Sequence, residues 1–395
     1  MTLLSVAEAQ ARMLALSAPL PIETVPVLAA IGRHAAEAVR ARRTQPAVDL
    51  SAMDGYAIRF SERPGPWRLV GESAAGGRPG LTLAPGEAAR IFTGAPVPGG
   101  ADTILIQEEA GRDGDRLTMT GEGPPAVGAH IRRAGNDYSD GDVMLPHGVK
   151  LGAAAIALAV SGGHAVVAVR RKPRIAILST GNELVAAGEP TPGAMLPASN
   201  GPMLAALLAG EPAEVVDYGI VPDDLEQIAA AFGRLKDQAD IIVTTGGASV
   251  GDHDLVLPAL EKAGARIDFW RVAMKPGKPI MIGKLGDAIV VGLPGNPVSA
   301  FVTATLFVRP LVAHLLGAAD PIPAPMTARL GMPVRATGER AEYLRGYWAD
   351  GSVHPVASQD SASLSALSQA DVLIVRDARA PALAAGDPVH IIRIA

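Results

Sequence analysis

The feature that most constrains the fold is an alternation of short apolar runs with amphipathic segments between residues 175 and 316. Strands that alternate with helices predict a mainly parallel sheet with helices on both faces, and ligands bind such sheets beyond the carboxyl ends of the strands. The predicted strands are 175–179, 215–218, 241–245, 267–272, 280–282 and 288–292, and the predicted helices are 201–208, 222–238, 255–263 and 297–316.

The flanking regions have other patterns. Residues 1–43 are predicted to be mostly helical, with Ser5 capping a helix over 6–16 and an Ala-rich helix over 27–41. Residues 46–146 contain short apolar runs between Gly, Pro and Asp turns, which predicts a β-rich insert. A helix and a strand are expected within 149–168, a basic linker at 170–174, and short strands from about 325.

Composition excludes several classes of function. The 395 residues include no cysteine, which excludes disulfides, zinc–thiolate sites, iron–sulfur clusters and cysteine nucleophiles. A formal charge of −5 and only 6 Phe, 5 Tyr and 3 Trp argue against a nucleic-acid partner. The longest apolar run, 151–160, is shorter than the ~20 residues of a membrane span. With an acidic N-terminal segment, these features predict a cytoplasmic protein.

A glycine-rich loop follows the strand at 241–245 and contains Gly246, Gly247, Ser249, Asp252 and Asp254. Its glycines allow the backbone to approach a ligand, and the next helix offers free N–H groups to an anion. Two simpler interpretations stay open: a tight turn, and a helix cap at Asp252 or Asp254. The spacing around Ser249 also matches the G-x-S-x-G elbow of serine hydrolases, although no histidine stands in a catalytic context.

Three further loops follow predicted strands of the same sheet. Lys275 and Lys278 lie in a Pro-Gly-Pro frame that directs two cations to one place, where an oxyanion could bind. Residues 292–299 place Asn296 at the N-cap and Pro297 at the first turn of a long helix, a second anion-competent helix start. Glu183 ends the third loop and could hold a metal or a ribose hydroxyl. A solvated loop or a plain helix start explains each feature alone.

The β-rich insert contains two turns, 51–57 with Asp54 and 93–98 with Thr93, and an acidic group at 136–142 without calcium-loop spacing. Taken together, seven strings resemble those of the molybdopterin molybdotransferase family, known as MoeA and as the E domain of gephyrin. They occur in family order and cover most of the chain: SAMDGYA (51–57), TGAPVP (93–98), STGNEL (179–184), TGGASVG (245–251), KPGKP (275–279), GLPGNPVS (292–299) and LRG (344–346).

The resemblance implies a multidomain protein of α/β and β class. It comprises an extended helical linker and dimerisation domain (1–45 and 145–172), a β-rich insert domain (46–144), a central three-layer α/β/α molybdopterin-binding domain (173–322) and a C-terminal β-barrel (323–395). It also implies an elongated homodimer whose active site is shared between chains, with the molybdopterin adenylyltransferase and molybdoenzymes as further partners.

The implied reaction inserts molybdate into adenylylated molybdopterin and releases AMP, with Mg²⁺ as the metal. Carried over residue by residue, the oxyanion ligands are Lys275, Lys278, Ser249 and Arg345, with Ser361 as a further candidate. Gly246, Gly247, Pro294, Asn296 and Pro297 would shape the pterin and phosphate pocket. Glu183, Asp252 and Asp254 would meet the nucleotide or its metal, and Asp54 and Thr93, with Asp137 nearby, would complete the site from the partner chain. Asp54, Asp254, Lys275 and Lys278 are the predicted catalytic residues.

Two departures from the family pattern affect single positions. Asn182 stands where the family often has Asp, which removes one negative charge from the Glu183 loop, and Asp360 precedes Ser361 where the family has a small residue. Two other functions remain open: a relative that adenylylates molybdopterin or cleaves nucleotide pyrophosphates, and a scaffold that binds pterin without turnover.

Overall fold

The computed structural model describes residues 3–77, 80–246 and 255–394. Its first helix, α1 (Val6–Ala15), begins at Ser5 as predicted. The Ser5 hydroxyl accepts from the Glu8 N–H at 3.2 Å, and the Glu8 carboxylate accepts from the Ser5 N–H at 2.8 Å, which is a capping box. Gln10 donates to the carbonyl of Leu306 at 2.7 Å, so this helix is bound to a helix far along the chain.

The predicted helix over 27–41 is wrong. The structure has strand β1 (Ile22–Pro26), one 3₁₀ turn (Val27–Ala30) and strand β2 (Val39–Arg40). Gly32 has a φ of +79°, which ends the turn. The N–H groups of Ala35 and Ala36 donate to the carbonyls of Val149 and Ala168, so pairing with distant chain replaces the intrahelical bonds.

Residues 50–132 form the expected β-rich region. Trp67, Ile58, Leu105 and Leu117 are buried in its interior. A six-stranded sheet has the order β7-β4-β6-β5-β9-β8, and β3 pairs separately with β10. The strands are β3 (Leu50–Ser51), β4 (Gly55–Ile58), β5 (Trp67–Ser73), β6 (Glu87–Ile91), β7 (Thr103–Ile106), β8 (Ala110–Asp113), β9 (Arg116–Met119) and β10 (Ile131–Arg132).

The chain then returns to its own beginning through β11 (Val143–Leu145), α2 (Ala153–Ser161) and β12 (Val166–Arg170). Strand β12 pairs antiparallel with β1, and β11 with β2, around a small apolar core. Beyond β12, Arg171 donates to both carboxylate oxygens of Asp240 at 2.7 Å, which binds the basic linker to the next region.

The region from 174 to 315 alternates strands with helices as predicted. Its sheet has the order β16-β13-β17-β21-β20-β18. The first four strands pair in parallel, and β20 pairs antiparallel with both β21 and β18. The elements are β13 (Arg174–Thr180), β14 (Leu184–Val185), β15 (Leu196–Pro197), α3 (Asn200–Leu208), β16 (Glu214–Val221), α4 (Leu225–Leu235), β17 (Ile241–Thr245), α5 (Val256–Lys262), β18 (Arg266–Trp270), β19 (Met274–Lys275), β20 (Met281–Leu285), β21 (Ala288–Leu293), α6 (Pro297–Thr303) and α7 (Arg309–Leu315).

Helices cover both faces of this sheet because its strands are apolar on both sides. Ile175 and Ile177 face α1, α3, α6 and α7, whereas Ala176 and Leu178 face α4 and α5. Helices α6 and α7 join through a π-helical turn (Ala304–Val308). Over the described ranges, this joined helix (Pro297–Leu315) is the one with the length and hydropathy of a membrane span. Because 78% of its apolar stretch is buried inside the protein, it has the burial of a core helix.

The C-terminal region is a second β-structure that includes β19 from the preceding region. Its strands are ordered β19-β23-β25-β26-β22, and β24 pairs with β23. A bridge between Leu330 and Val353 also joins the chain after β22 to β24. The elements are β22 (Met326–Arg329), β23 (Ala341–Ala349), β24 (Ser352–Pro355), α8 (Leu364–Leu367), β25 (Val372–Arg376) and β26 (Pro388–Arg393).

Candidate active site

A cleft of about 760 Å³ lies at the carboxyl ends of the parallel strands β13, β17 and β21. Its lining combines the sheet edge with the start of α3 and with Ala362 and Leu364 of the C-terminal region. This is the edge where the sequence places its loops, and the volume suits a small organic ligand. The predicted site residues that line it are Glu183, Gly246, Pro294, Asn296 and Pro297.

The start of α6 forms one wall of the cleft. Asn296 is the N-cap and Pro297 occupies the first turn, as predicted. The Val298 N–H donates to the carbonyl of Ser361 at 3.1 Å, and the Asn296 amide donates to the Ser361 hydroxyl at 3.2 Å. The helix start therefore binds a loop of the C-terminal region, which uses part of its capacity for an anion.

The glycine-rich loop begins at the cleft floor. Gly246 has a φ of +89°, and a Cβ placed there would lie 2.7 Å from the carbonyl oxygen of Thr180. Only glycine fits at this position. The hydroxyls of Ser179 and Thr245 share a hydrogen bond of 3.1 Å beneath it. The predicted residues Gly247, Ser249, Asp252 and Asp254 lie outside the described residues.

The Glu183 loop is held in place by paired bonds. The Asn182 N–H donates to the Asp223 carboxylate, and the Asp223 N–H donates to the Asn182 side chain, both at 3.1 Å. The Asn182 side chain acts in this pair only as an acceptor, a role that an Asp at the same position could also fill. Glu183 is exposed at the cleft.

The two predicted lysines lie beside the cleft, which Pro279 of the same loop lines. Both lysine side chains are exposed. The Lys275 Nζ lies 3.4 Å from Oε1 of Glu342 on β23, because β19 and β23 pair in parallel. Gly277 has a φ of +99°, and a Cβ added to it would lie 2.4 Å from the Thr303 side chain. The loop is thus closely packed while its ammonium groups remain accessible.

Arg345 has no exposed surface. Its Nη2 donates to the carbonyl of Ser358 at 2.8 Å, and its backbone exchanges bonds of 3.0 Å with the Gln359 side chain. Burial lowers the pKa of the Arg345 guanidinium, and Asp360 opposes that shift. Nε and Nη1 are buried with no hydrogen-bond partner in the described part of the chain. An unpaired buried cation suits an anionic ligand.

Asp54 and Thr93 meet in the β-rich region. The Thr93 N–H donates to Asp54 Oδ1 at 2.7 Å and the Thr93 hydroxyl to the same atom at 2.8 Å. These two bonds lower the pKa of the Asp54 carboxyl, so it is ionised. Neither residue lines the cleft. Asp137, predicted to lie nearby, is exposed, and its N–H donates to the carbonyl of Gln45.

Three family models match successive parts of the chain: the MoeA N-terminal region (domain I and II) over residues 4–163, a probable molybdopterin binding domain over 176–314 and the MoeA C-terminal region (domain IV) over 327–394. A molybdopterin molybdenumtransferase of Haemophilus influenzae is 35% identical over 98% of both chains. This chain belongs to the MoeA family. A molybdopterin molybdenumtransferase of Nostoc sp. is 35% identical over 94% of this MoeA chain and 88% of its own length. The crystal structure of a molybdopterin biosynthesis MoeA protein from Pyrococcus horikoshii has a TM-score of 0.85 at 27% identity and covers 99% of both chains.

Of the four predicted metal ligands, the structure of this MoeA protein describes Glu183 and Asp54, which lie in different regions. Across residues 3–77, 80–246 and 255–394, no three His, Asp or Glu side chains lie close enough together to hold a metal ion. Glu183 is at the cleft, Asp54 is bound to Thr93 in another region, and Asp252 and Asp254 are not described.

Sequence reasoning missed three residues of this MoeA site. Gln359 binds the backbone of Arg345. Glu342 faces Lys275. Asn200, which directly precedes the helix predicted over 201–208, donates to the carbonyl of Gly295 at 2.8 Å and lines the cleft. Their positions were the available signal: Glu342 lies two residues before the LRG string, Asn200 lies at a predicted helix start, and Gln359 lies two residues before the candidate Ser361.

Proposed function

We propose that this chain is a molybdopterin molybdenumtransferase that inserts molybdate into adenylylated molybdopterin and releases AMP. The observation that carries the proposal is the cleft between the α/β and C-terminal regions, which two of the matching family models cover. Relatives that match almost the whole chain are named for this transfer.

The cleft offers separate surfaces for the parts of such a substrate. Leu184, Leu196 and Leu364 supply apolar area for a ring. The Asn200 amide oxygen is buried there with no partner in the described chain, so it can accept from a ring N–H group. The start of α6 and Gly246 bring backbone groups close to a phosphate.

Two lysines beside the cleft and Arg345, which is bound to the loop that carries Ser361, supply the oxyanion contacts. We propose that Lys275, Lys278 and Arg345 bind molybdate, with Ser361 and Ser249 as hydroxyl ligands. Cleaving a phosphoanhydride requires positioned charge around the developing phosphate, which these side chains provide without a cysteine or serine nucleophile.

Magnesium belongs to the same proposal. Carboxylate oxygens are the ligands that Mg²⁺ prefers. The ion would be held by Glu183, Asp252 and Asp254 of one chain and by Asp54 of the partner subunit. When bound, the ion supplies Lewis-acid stabilisation of phosphate oxygens.

We also propose the domain boundaries and the homodimer stated above, including a C-terminal barrel and a cytoplasmic location. Asp54 and Thr93 do not line the cleft of their own chain, which supports a site completed by a second chain. Exposed apolar side chains in the linker domain, Leu28 (72% exposed), Ile31 (59%) and Val160 (57%), provide surface for that dimer.

The decisive experiment measures AMP release from adenylylated molybdopterin by the purified protein with Mg²⁺, with and without molybdate. Molybdate-dependent release with formation of active cofactor is expected. Binding without release would contradict the transfer and favour a scaffold. Transfer of AMP from ATP to molybdopterin would favour the adenylyltransferase alternative.

A further inference from the structure

Three strands of the C-terminal sheet place alternating charges side by side. Lys275 on β19 is opposite Glu342 on β23, and Glu342 is opposite Arg376 on β25. Residues that are directly opposite on paired strands lie on the same face of the sheet. Glu342 is therefore flanked by two cations.

The two cations differ in their freedom to move. Arg376 is only 3% exposed, and its guanidinium donates to the carbonyls of Arg335, at 3.5 Å, and Pro381. The Lys275 side chain is 56% exposed, and its ammonium lies 3.4 Å from the Glu342 carboxylate. When a ligand arrives, Lys275 is the member of this row that can change partner.

We propose that Glu342 is a positioning residue that occupies the Lys275 ammonium until the oxyanion arrives and so limits how tightly the oxyanion is held. This inference rests on the proposed function, because it assigns Lys275 to molybdate. The Glu342 side chain is 23% exposed and also supplies the negative charge beside buried Arg376, whereas its bond to the exposed Lys275 ammonium contributes little to fold stability and can be exchanged for a ligand. Its negative charge repels an approaching anion, and a dianion is repelled more than a monoanion.

The test compares molybdate affinity, by calorimetric titration at low ionic strength, in the wild-type protein and in Glu342→Gln. Removing the competing charge is expected to tighten binding about two- to fivefold. Glu339→Gln is the matched control, because it removes the same charge from an exposed pair with Arg379 in the same region. The control is expected to bind molybdate as the wild type does.

Two further measurements separate competition from a general change in structure. The gain should disappear when Glu342→Gln is made in a Lys275→Ala background, and it should shrink as salt is raised because exposed charges are screened. Glu342→Asp, which keeps the charge but retracts it by one methylene, should show a smaller gain and serves if Glu342→Gln is poorly folded.

Unchanged or weaker binding by Glu342→Gln overturns the inference, as does a gain that persists without Lys275. The proposed function fails separately. If the wild-type protein neither binds molybdate nor releases AMP, the oxyanion site itself is wrong, and the role of Glu342 is overturned with it. If the wild type does both and Glu342→Gln shows no gain, only the role of Glu342 is overturned.

Discussion

Arg345 and Asp54 are both charged residues assigned to the same reaction, but the protein surrounds them in different ways. Arg345 is fully buried and bound to the loop that carries Ser361. Asp54 lies at a turn, where the described hydrogen bonds to its carboxylate both come from Thr93. Changing Arg345 must therefore change the fold and the chemistry together, whereas Asp54 can be changed with little effect on the fold.

The largest effect is expected for Arg345→Ala. It removes the donor to the Ser358 carbonyl and leaves a cavity in place of a fully buried side chain, so the free energy of unfolding should fall by roughly 2–4 kcal/mol. Urea unfolding measures this, and AMP release should be lost as well. Arg329→Ala is the control, because exposed Arg329 also donates to a carbonyl, that of Gly386. Equal losses of unfolding free energy in the two variants would contradict the idea that the burial of Arg345 is what makes it important for the fold.

Gly246→Ala tests whether the backbone at the edge of the cleft tolerates a side chain, or is packed as closely as the surroundings of Arg345. The added Cβ would meet the Thr180 carbonyl at a positive φ, with strain of about 1–3 kcal/mol, and pterin binding should weaken. Gly188→Ala is matched, since Gly188 has a φ of +87° but open space around its Cβ. Calorimetric titration with molybdopterin measures the difference, and similar affinities in both variants would contradict the close approach.

Lys275→Ala and Lys278→Ala extend the comparison to exposed cations at the cleft. Loss of one charge-assisted contact should weaken molybdate binding by about 1.5–3 kcal/mol. The urea midpoint should stay unchanged because both side chains are exposed. Lys284→Ala provides the control on another strand. Unaltered molybdate affinity in both cleft variants would eliminate this oxyanion site.

The smallest effect is expected for Thr93→Val. The Thr93 N–H, the larger cause of the lowered Asp54 pKa, remains, and only the hydroxyl is lost. The pKa of Asp54 should rise part of the way towards its usual value. Because the lowered pKa keeps the carboxylate ionised as the pH falls, the acidic decline in AMP release should begin at a higher pH in the variant. Thr118→Val, in the same sheet, is the control and should leave the pH profile of AMP release unchanged. Identical profiles for the wild type and Thr93→Val would show that the ionisation of Asp54 does not control the rate of AMP release.

The α/β region could be predicted from the sequence because its pattern is local. Apolar runs such as 241–245 and the cap-and-proline start at Asn296 and Pro297 specify their elements without distant information. The helix predicted over 27–41 failed because its N–H groups pair with residues more than a hundred positions away.

The same limit explains the site. Positions at strand ends predicted Glu183, Gly246 and the lysines at one edge, and Glu183 and Gly246 line the cleft together with Pro279, the neighbour of Lys278. The burial of Arg345 and the attachment of Ser361 to α6 depend on how two regions dock, which residue spacing does not encode. The family resemblance assigned Asp54 and Thr93 to the same site, and the structure joins their side chains by a hydrogen bond.

The pairing of β19 with β23 and the bond from Val298 to Ser361 also affect how the chain is made. Proteins are synthesised from the N-terminus, and regions fold as they emerge. The sheet edge and α6 are complete by residue 315, but their contacts come from residues 341–361, which are made later. A nascent chain can therefore form the cleft floor and the wall at α6 before the C-terminal region has been made, so the binding surface is complete only after residues 341–361 have emerged.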